Sequence, residues 1–508
     1  MDKPIEEAPM TQADTINAPT AGKTEHVDVL IVGAGISGIG SAYHLQDQAP
    51  GKSYAILEKY ETFGGTWHMH TYPGVRSDSD LYTFGYRFKP WTSAPIASAE
   101  EIKKYMAEVI SENNIDEHIR YRHEITAASW SSRDQRWTVT VTNLAKGETF
   151  QMTANFLWMC QGYYKHSQGY TPEWPGMDQY KGRIVHPQTW PKDLDYKGKK
   201  VLVIGSGATA ATLVPAMAAD CEHITILQRS PTYFIPGRNV NDLADTLRQL
   251  EINEEWIHEI VRRKVLFDGQ AVTDMAFEHP DMVKDVLLEG IRTLLPEGYD
   301  MKHFTPKYRP WQQRIAFVPE GDLFAGIKSG KASMVTDEIE TFTATGVRTK
   351  DGTVIDAEII VTATGFHLSV LGDIPFDLDG KPLNWADTVT YRGMMFTGVP
   401  NLAWVFGYFR ASWTLRVDIM GDFITRLFKH MDAKGVRSVT PQLRPEDADM
   451  PIGAWMDPDN FNPNYLMRSQ HLMPKSGDKQ EWKHDQNYTL EKNVLPTVNL
   501  DDGCLVYE

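Results

Sequence analysis

The chain has 508 residues, of which 42% are hydrophobic and 23% charged, and its formal net charge is −16. This size and composition predict a globular protein of two or three domains, with room for a cofactor between them. The acidic balance argues against a nucleic-acid partner, because sequence-independent phosphate binding needs a basic surface.

Residues 1–26 are polar and contain no apolar segment of the kind found in signal peptides, so we predict a flexible N-terminal tail. No apolar run approaches the roughly 18 residues that span a bilayer, and no transmembrane segment is predicted. Cys160, Cys221 and Cys504 lie far apart without a C-x-x-C pair, which argues against a disulfide framework or a redox dithiol. The reducing cytoplasm is the predicted location.

The first predicted element, residues 27–32, is an apolar run typical of a buried parallel strand. Gly33, Gly35 and Gly38 follow with the spacing G-x-G-x-x-G. This spacing permits a tight turn, the approach of a pyrophosphate and close packing of the next helix, whose N-terminus attracts phosphate. The next predicted strand ends in Glu58, where a carboxylate accepts hydrogen bonds from a ribose diol. These features predict a dinucleotide-binding Rossmann-like domain.

A second copy of this pattern follows in "KKVLVIGSGATAATLVPAMA", with Gly205, Gly207 and Ala210 in the variant G-x-G-x-x-A. The strand after it ends in Arg229 and not in an acid. A guanidinium binds a 2′-phosphate bidentately, so this site is predicted to prefer NADPH to NADH. A solvated surface arginine is the alternative interpretation of Arg229.

Two such motifs in one chain predict an α/β fold with two Rossmann-like domains, FAD in the first and NADPH in the second. The sequence "DAEIIVTATGF", with Ala363-Thr364-Gly365, is typical of the return to the first domain. Helix-like charged stretches predict an insertion packed on the NADPH domain. The predicted division is an FAD domain over 27–165 and 356–508, an NADPH domain over 166–355 and a helical insertion over about 241–300.

Two longer patterns carry a family resemblance. "YKGRIVHPQTWP", residues 180–191, resembles the fingerprint F-x-G-x-x-x-H-x-x-x-W-P of type I Baeyer-Villiger monooxygenases, with Tyr180 in place of the phenylalanine. "GGTWHMHTYPGVRSD", residues 64–78, meets in full the family's second fingerprint, [AG]-G-x-W-x-x-x-x-[FY]-P-[GM]-x-x-x-D. The resemblance covers the chain from about residue 26. Segments such as "YPGVRSDSDLYTFGYRF" and "GYFRASWTL" are more similar to the ethionamide-activating members than to those acting on cyclohexanone or phenylacetone.

The resemblance implies an NADPH- and O₂-dependent enzyme that converts ketones into esters or lactones through a C4a-peroxyflavin, and that also oxidises sulfides or thioamides. A heteroatom-oxidising flavin monooxygenase is one alternative, although such enzymes usually lack the final W-P. A flavin-bound redox carrier or regulator that never oxygenates is the alternative from another class. The resemblance implies no metal.

The catalytic residues are also predicted from the resemblance. Negative charge develops on oxygen in this chemistry, so a cation that stays protonated in a partly dry site is required, and arginine meets that need. The family's arginine corresponds to Arg314 in "YRPWQQRIAF", while charge alone leaves Arg309 and Arg416 as rivals. Asp78, which ends the second fingerprint, is the predicted carboxylate partner, with Asp80 as the alternative.

Further residues are expected to contact the two cofactors. His186 is predicted to be a structural or hinge residue. Ser412 is a possible N-cap of a C-terminal helix that either starts beneath the flavin or is a plain core helix. The predicted FAD contacts are Gly33, Gly35, Ser37, Gly38, Glu58, Gly65, Thr66, Trp67, His68, Met69, Asp78 and Ile125. The predicted NADPH contacts are Arg76, Ser77, Gly205, Ser206, Gly207, Ala208, Thr209, Ala210, Arg229 and Ser230.

Overall fold

The structure is a computed structural model that describes residues 24–508. Residues 1–23 of the predicted tail lie outside the described residues. The prediction that the tail extends to residue 26 is wrong, because the first strand begins at Glu25, which pairs with Met152. No helix within the described range is long and apolar enough to cross a membrane.

The first part of the chain alternates strands and helices and then forms an antiparallel meander. Helix α4 (Ala99–Glu112) begins with a capping box in which Ser98 and Glu101 bond each other's backbone N–H groups. The strands are β1 (Glu25–Val32), β2 (Tyr54–Glu58), β3 (Ile119–Tyr121), β4 (His123–Ser131), β5 (Arg136–Asn143) and β6 (Glu148–Met159), and the helices are α1 (Ile36–Gln48), α2 (Thr66–Met69), α3 (Leu81–Phe84) and α4 (Ala99–Glu112).

The middle of the chain contains the second glycine motif and the helical insertion. Its strands are β7 (Tyr164–Gly169), β8 (Arg183–Val185), β9 (Lys200–Ile204), β10 (His223–Gln228), β11 (Phe234–Gly237), β12 (Ala316–Pro319), β13 (Ala332–Thr336), β14 (Ile339–Phe342), β15 (Gly346–Thr349), β16 (Val354–Asp356) and β17 (Ile359–Thr362). Its helices are α5 (Ala208–Ala218), α6 (Asp242–Gln249), α7 (Glu254–Glu278), α8 (Pro280–Arg292) and α9 (Asp322–Lys328).

The last part of the chain is built around one long buried helix, α10. The strands are β18 (Phe366–Leu368), β19 (Phe376–Leu378), β20 (Lys381–Pro382), β21 (Thr390–Tyr391), β22 (Met395–Phe396), β23 (Leu402–Trp404), β24 (Val439–Pro441), β25 (Ile452–Gly453), β26 (Ser476–Gly477) and β27 (Leu505–Tyr507). The helices are α10 (Thr414–Lys434), α11 (Asn464–Ser469) and α12 (Tyr488–Val494).

The first sheet has the order β20-β19-β4-β5-β6-β1-β2-β3, with β23 also paired to β6. Strand β1 is central and parallel to both β2 and β6. Its apolar residues are buried on both faces, as expected for a parallel strand covered by other layers. The carboxyl ends of β1, β2 and β6 therefore point to the same edge, where parallel α/β sheets bind ligands.

The second sheet is parallel throughout, in the order β13-β10-β9-β17-β8. Strand β17, Ile359–Thr362, pairs with β9 and β8 inside it. The predicted division at residue 356 is thus too early, and the chain leaves the second sheet only after Thr362. It then returns through β18, which pairs with β7 in a separate ribbon joining the two domains. The local sequence did not reveal this, since an apolar strand fits either sheet.

The helical insertion packs on both domains and not on the second alone. Ala244, Ile257 and Val261, on α6 and α7, belong to the hydrophobic core around β1 and α10. Leu288 and Ile291, on α8, belong to the core of the second domain. The predicted packing is corrected accordingly, and the insertion bridges the two domains.

Candidate active site

A cavity of about 700 Å³ lies between the two glycine motifs. Both domains line it, the first through Gly33 and Gly35 and the second through Gly207 and Thr209. Its size falls in the range expected of cofactor and ligand sites. The cavity is therefore where the chemistry predicted from the sequence has to take place.

The first glycine motif forms the tight turn that its spacing predicts. Gly33 has a φ of 99°, a conformation that disfavours side chains. A Cβ at Gly38 would overlap the carbonyl oxygen of Gly33, so helix and strand pack as closely as a glycine allows. Helix α1 starts after Gly35 with no side-chain cap, which leaves its first N–H groups for a phosphate.

Glu58 ends β2 beside this turn and is 5% exposed. Its carboxylate accepts hydrogen bonds from the backbone N–H of Ala34 at 2.8 Å and of Tyr60 at 2.9 Å. Burial raises the pKa of Glu58, and these two hydrogen bonds oppose the rise. Because Glu58 also lines the cavity, its remaining acceptor sites can hold a ribose diol.

The second fingerprint places a short helix, α2, against the cavity. Gly65, Thr66, Trp67 and Met69, four of the predicted FAD contacts, line the cavity. His68 does not belong to the lining, and its imidazole lies 3.3 Å from the carboxylate of Glu61 instead. Two further predicted contacts, Ser37 and Ile125, are also on the cavity wall.

Several polar groups in this region lack a partner in the described chain, and these groups test whether a cofactor fits. The amide nitrogen and oxygen of Gln161 and the Nδ1 atom of His70 are buried without a hydrogen bond, and both residues line the cavity. Buried polar groups of this kind are normally satisfied. Together with the open N-terminus of α1 and the carboxylate of Glu58, they fit a dinucleotide such as FAD.

The second glycine motif is more open. Gly207, Ala208 and Thr209 line the cavity, whereas Gly205, with a φ of 116°, makes the turn behind them. Helix α5 also begins without a side-chain cap. The remaining predicted residues, Ser206, Ala210, Arg229 and Ser230, are not part of the lining. Ser206 lies at the turn, where its hydroxyl bonds the Ser230 oxygen, and Ala210 is buried in helix α5. Arg229 and Ser230 are exposed at the end of β10.

Two of the predicted NADPH contacts have other roles in the structure. The guanidinium of Arg76 lines the cavity but forms an ion pair with Asp322 at 2.6 Å, which ties the first domain to α9 of the second. Ser77 is buried and bonds Ala97 through both its backbone N–H and its hydroxyl. Ser77 therefore anchors the loop that carries the next residue, and its NADPH contact stays a prediction.

That next residue, Asp78, pairs with Arg314 across the cavity wall. The Nε atom of Arg314 lies 2.9 Å from Oδ2 of Asp78, and its Nη2 donates to Oδ1 at 3.1 Å. Asp80 caps α3 by accepting from Tyr82 N–H, so the structure places Asp78 and not Asp80 beside the arginine. The geometry is bidentate, which fixes the direction of the guanidinium as well as its charge.

The rival arginines are engaged elsewhere. Arg416 is fully buried and paired with Glu491 at 2.6 Å. Arg309 donates to the backbone oxygens of Pro310, Asp459 and Asn460. Neither belongs to the cavity lining. Of the three candidate arginines, Arg314 is the one that lines the cavity.

Arg314 keeps its charge in this setting. Its side chain is 39% exposed, and this exposed part faces the cavity. The Asp78 carboxylate raises the pKa of Arg314, against the opposing effect of burial. The site therefore holds a permanent, oriented cation.

The structural roles predicted for His186 and Ser412 have different outcomes. His186 accepts from Gln188 N–H and contacts the Gly365 oxygen at 3.0 Å, so it joins the segments that connect the domains. Ser412 is not the N-cap of α10, because the helix begins at Thr414 and the Ser412 hydroxyl bonds Thr83. Trp413 occupies the cap position, lines the cavity and donates to the Ser37 hydroxyl at 2.7 Å.

The sequence prediction missed three tyrosines. Tyr163, Tyr164 and Tyr465 line the cavity together with Arg314. A signal for the first two was present, because they follow the carboxyl end of β6 and loops at that edge carry ligands. Tyr465 lies on α11 and has no comparable local signal.

Comparisons with known proteins agree with this geometry. Residues 31–93 match the model of an NAD(P)-binding Rossmann-like domain, and residues 91–244 match that of a flavin-binding monooxygenase-like family. The FAD-containing monooxygenase EthA of Mycolicibacterium smegmatis is 45% identical over 95% of this chain and 97% of its own length. EthA of Mycobacterium tuberculosis is 44% identical over 95% of this chain and 98% of its own.

A solved structure supports the same fold. The crystal structure of OTEMO in complex with FAD and NADP has a TM-score of 0.74 and 21% identity, covering 96% of this chain and 100% of its own. The predicted α/β fold of a two-dinucleotide-binding flavoprotein is thereby confirmed. The chain belongs to the family of FAD-containing monooxygenases that includes EthA.

Proposed function

We propose that this protein is an NADPH- and O₂-dependent Baeyer-Villiger monooxygenase that converts ketones into esters or lactones and also oxidises sulfides or thioamides. The observation that carries the proposal is the Arg314–Asp78 pair on a cavity shared by both glycine motifs. The whole-length similarity to FAD-containing monooxygenases supports it. Three free, buried cysteines support a cytoplasmic location.

The two cofactors are assigned to different domains. FAD is held by Gly33, Gly35 and Glu58 of the first domain, and NADPH by the turn at Gly205 and by Arg229 of the second. Bound FAD supplies the activation of O₂ after reduction by NADPH. Both turns offer free helix N-termini, the groups that bind pyrophosphate best.

The protein's own residues supply the charge and the geometry. Arg314 stabilises negative charge on oxygen during attack on the carbonyl, and Asp78 holds its guanidinium in place through two contacts. Trp67, Trp413 and the tyrosines give the cavity an aromatic lining, which reduces the contact of a bound substrate with water. A preoriented cation in a dry site is worth far more than one in water.

One incubation tests this function. The purified enzyme is given NADPH, air and a panel of linear, cyclic and aryl ketones plus thioethers, and products are identified by mass. Esters with one added oxygen are expected; sulfoxides alone would instead indicate a heteroatom oxidase, and NADPH consumption without any oxygenated product would indicate a redox carrier. The variant Arg314→Ala should reduce FAD normally while losing ester formation, and Arg309→Ala serves as the matched control.

A further inference from the structure

The three tyrosines missed by the sequence prediction form a compact group, here called the phenol cluster: Tyr163, Tyr164 and Tyr465. The ring centroids of Tyr163 and Tyr164 are 4.1 Å apart, and that of Tyr465 lies 6.3 Å and 5.8 Å from them. All three line the cavity that holds Arg314. Tyr163 also stacks on Trp413, with centroids 5.1 Å apart, so its ring orientation is set by packing.

The hydroxyls of the phenol cluster lie close to one another. The hydroxyl of Tyr163 donates to that of Tyr164 at 2.8 Å. The hydroxyl of Tyr465 lies within hydrogen-bonding reach of the hydroxyls of Tyr163 and Tyr164. A phenol hydroxyl has one proton, which rotates about the C–O bond to suit its partner, so Tyr164 and Tyr465 can turn their protons toward a ligand in the cavity that they line.

These donors stay neutral beside a cation. Burial raises the pKa of all three phenols, and the charge of Arg314 opposes this rise. The hydroxyls therefore remain protonated at physiological pH. The cavity wall thus offers the fixed positive charge of Arg314 together with two uncharged O–H donors.

We propose that Tyr164 and Tyr465 donate hydrogen bonds to the carbonyl oxygen of a ketone substrate and so select carbonyl compounds over thioethers. This inference rests on the proposed function. When the carbonyl carbon is attacked, its oxygen gains negative charge, and two oriented donors stabilise that charge without any bond to the protein being made or broken. A thioether has only a weakly accepting sulfur and no carbonyl oxygen on which such charge develops.

The test compares two substrates in one reaction. Tyr164→Phe, Tyr465→Phe and the double variant are each given an equimolar mixture of one ketone and one thioether, and both products are quantified. Removing an oxyanion donor lowers kcat by about 100-fold or more in enzymes that depend on one. We expect the ester-to-sulfoxide ratio to fall by about that factor, most in the double variant, while anaerobic FAD reduction by NADPH stays at the wild-type rate.

A matched control is available in Tyr54→Phe, since that hydroxyl is buried without a partner and lies outside the cavity lining. Because the product ratio is internal to each preparation, it does not depend on how much enzyme has folded. An unchanged ratio in the double variant, with esters still made by the wild type, overturns this inference alone. If the wild type makes no ester from any ketone, the proposed function fails and the inference fails with it.

Discussion

The two glycine motifs of this protein begin alike and end differently. Both make a left-handed turn at their first glycine, Gly33 or Gly205, and both lead into a helix without a side-chain cap. At the third position, however, Gly38 has no room for a Cβ, whereas Ala210 is packed with its methyl group in place. The first turn is therefore closed against its strand more tightly than the second.

The two motifs also differ in the residue at the end of the strand that follows each of them. Glu58 is buried and bonded by two backbone N–H groups, whereas Arg229 is exposed at the end of β10. A buried, prebonded acid suits a cofactor that stays bound, and an exposed arginine suits one that enters and leaves in every cycle. On the proposed assignment, the first motif holds a resident cofactor and the second an exchanging one, and the residues around each motif account for the difference.

The largest expected effect is at Gly38. Gly38→Ala would force the new Cβ into the Gly33 carbonyl oxygen, displacing helix α1 at a cost of about 3 kcal/mol. We expect a lower melting temperature and loss of bound FAD, measured by thermal denaturation and by flavin absorbance. Gly269→Ala, at an unobstructed position inside helix α7, should leave the FAD content unchanged and the melting temperature equal to or slightly above that of the wild type. Full FAD content in Gly38→Ala would mean that the two turns are equally tolerant.

The next effect concerns Glu58. In Glu58→Gln the amide NH₂ would face a backbone N–H in place of one of the two acceptors, and hydrogen bonds involving charged groups contribute about 1.5–3 kcal/mol. FAD affinity should fall by about 10- to 100-fold, as measured by titration of the apoenzyme, with the KM for NADPH unaffected. Glu222→Gln provides a control at a surface acid, and wild-type affinity in Glu58→Gln would contradict the assignment.

A smaller effect is expected at Arg229. Arg229→Ala should raise the KM for NADPH by about tenfold through loss of a charge-assisted pair with the 2′-phosphate, while leaving the KM for NADH alone. Steady-state kinetics with both cofactors measure this. Arg183→Ala removes another exposed arginine of the same domain as a control. Equal use of both cofactors by the wild type would make Arg229 an ordinary surface residue.

The smallest effect is a pH dependence of FAD binding. The pKa of Glu58 is raised by burial, and ribose hydroxyls favour the ionised carboxylate, so FAD binding lowers that pKa. FAD affinity should therefore weaken as the pH falls through the raised pKa of the free site, by at most about tenfold per pH unit. Flavin release followed by fluorescence from neutral pH downwards tests this, and Glu58→Gln should flatten the profile.

Much of the fold followed from contiguous patterns. A strand, a glycine turn, a helix and a strand-end residue lie close together in the chain, so both Rossmann-like domains were predictable, and the fold class is confirmed. The boundaries of the two domains were harder to predict from the sequence. Strand β17 joins the second sheet through pairing with β9, and the insertion packs on both domains; apolar residues show that an element is buried but not what covers it.

By itself, the sequence determined the two nucleotide turns, the family and the residue types of the site, because each depends on short-range spacing. Only the tertiary structure decided which groups meet. Arg314 and Asp78 are 236 positions apart, and local sequence left two rival arginines and a rival aspartate open. The phenol cluster likewise combines a loop after β6 with a helix near the C-terminus. Such contacts depend on how the sheets and helices pack, since side chains from distant segments converge only when the cores between them have formed.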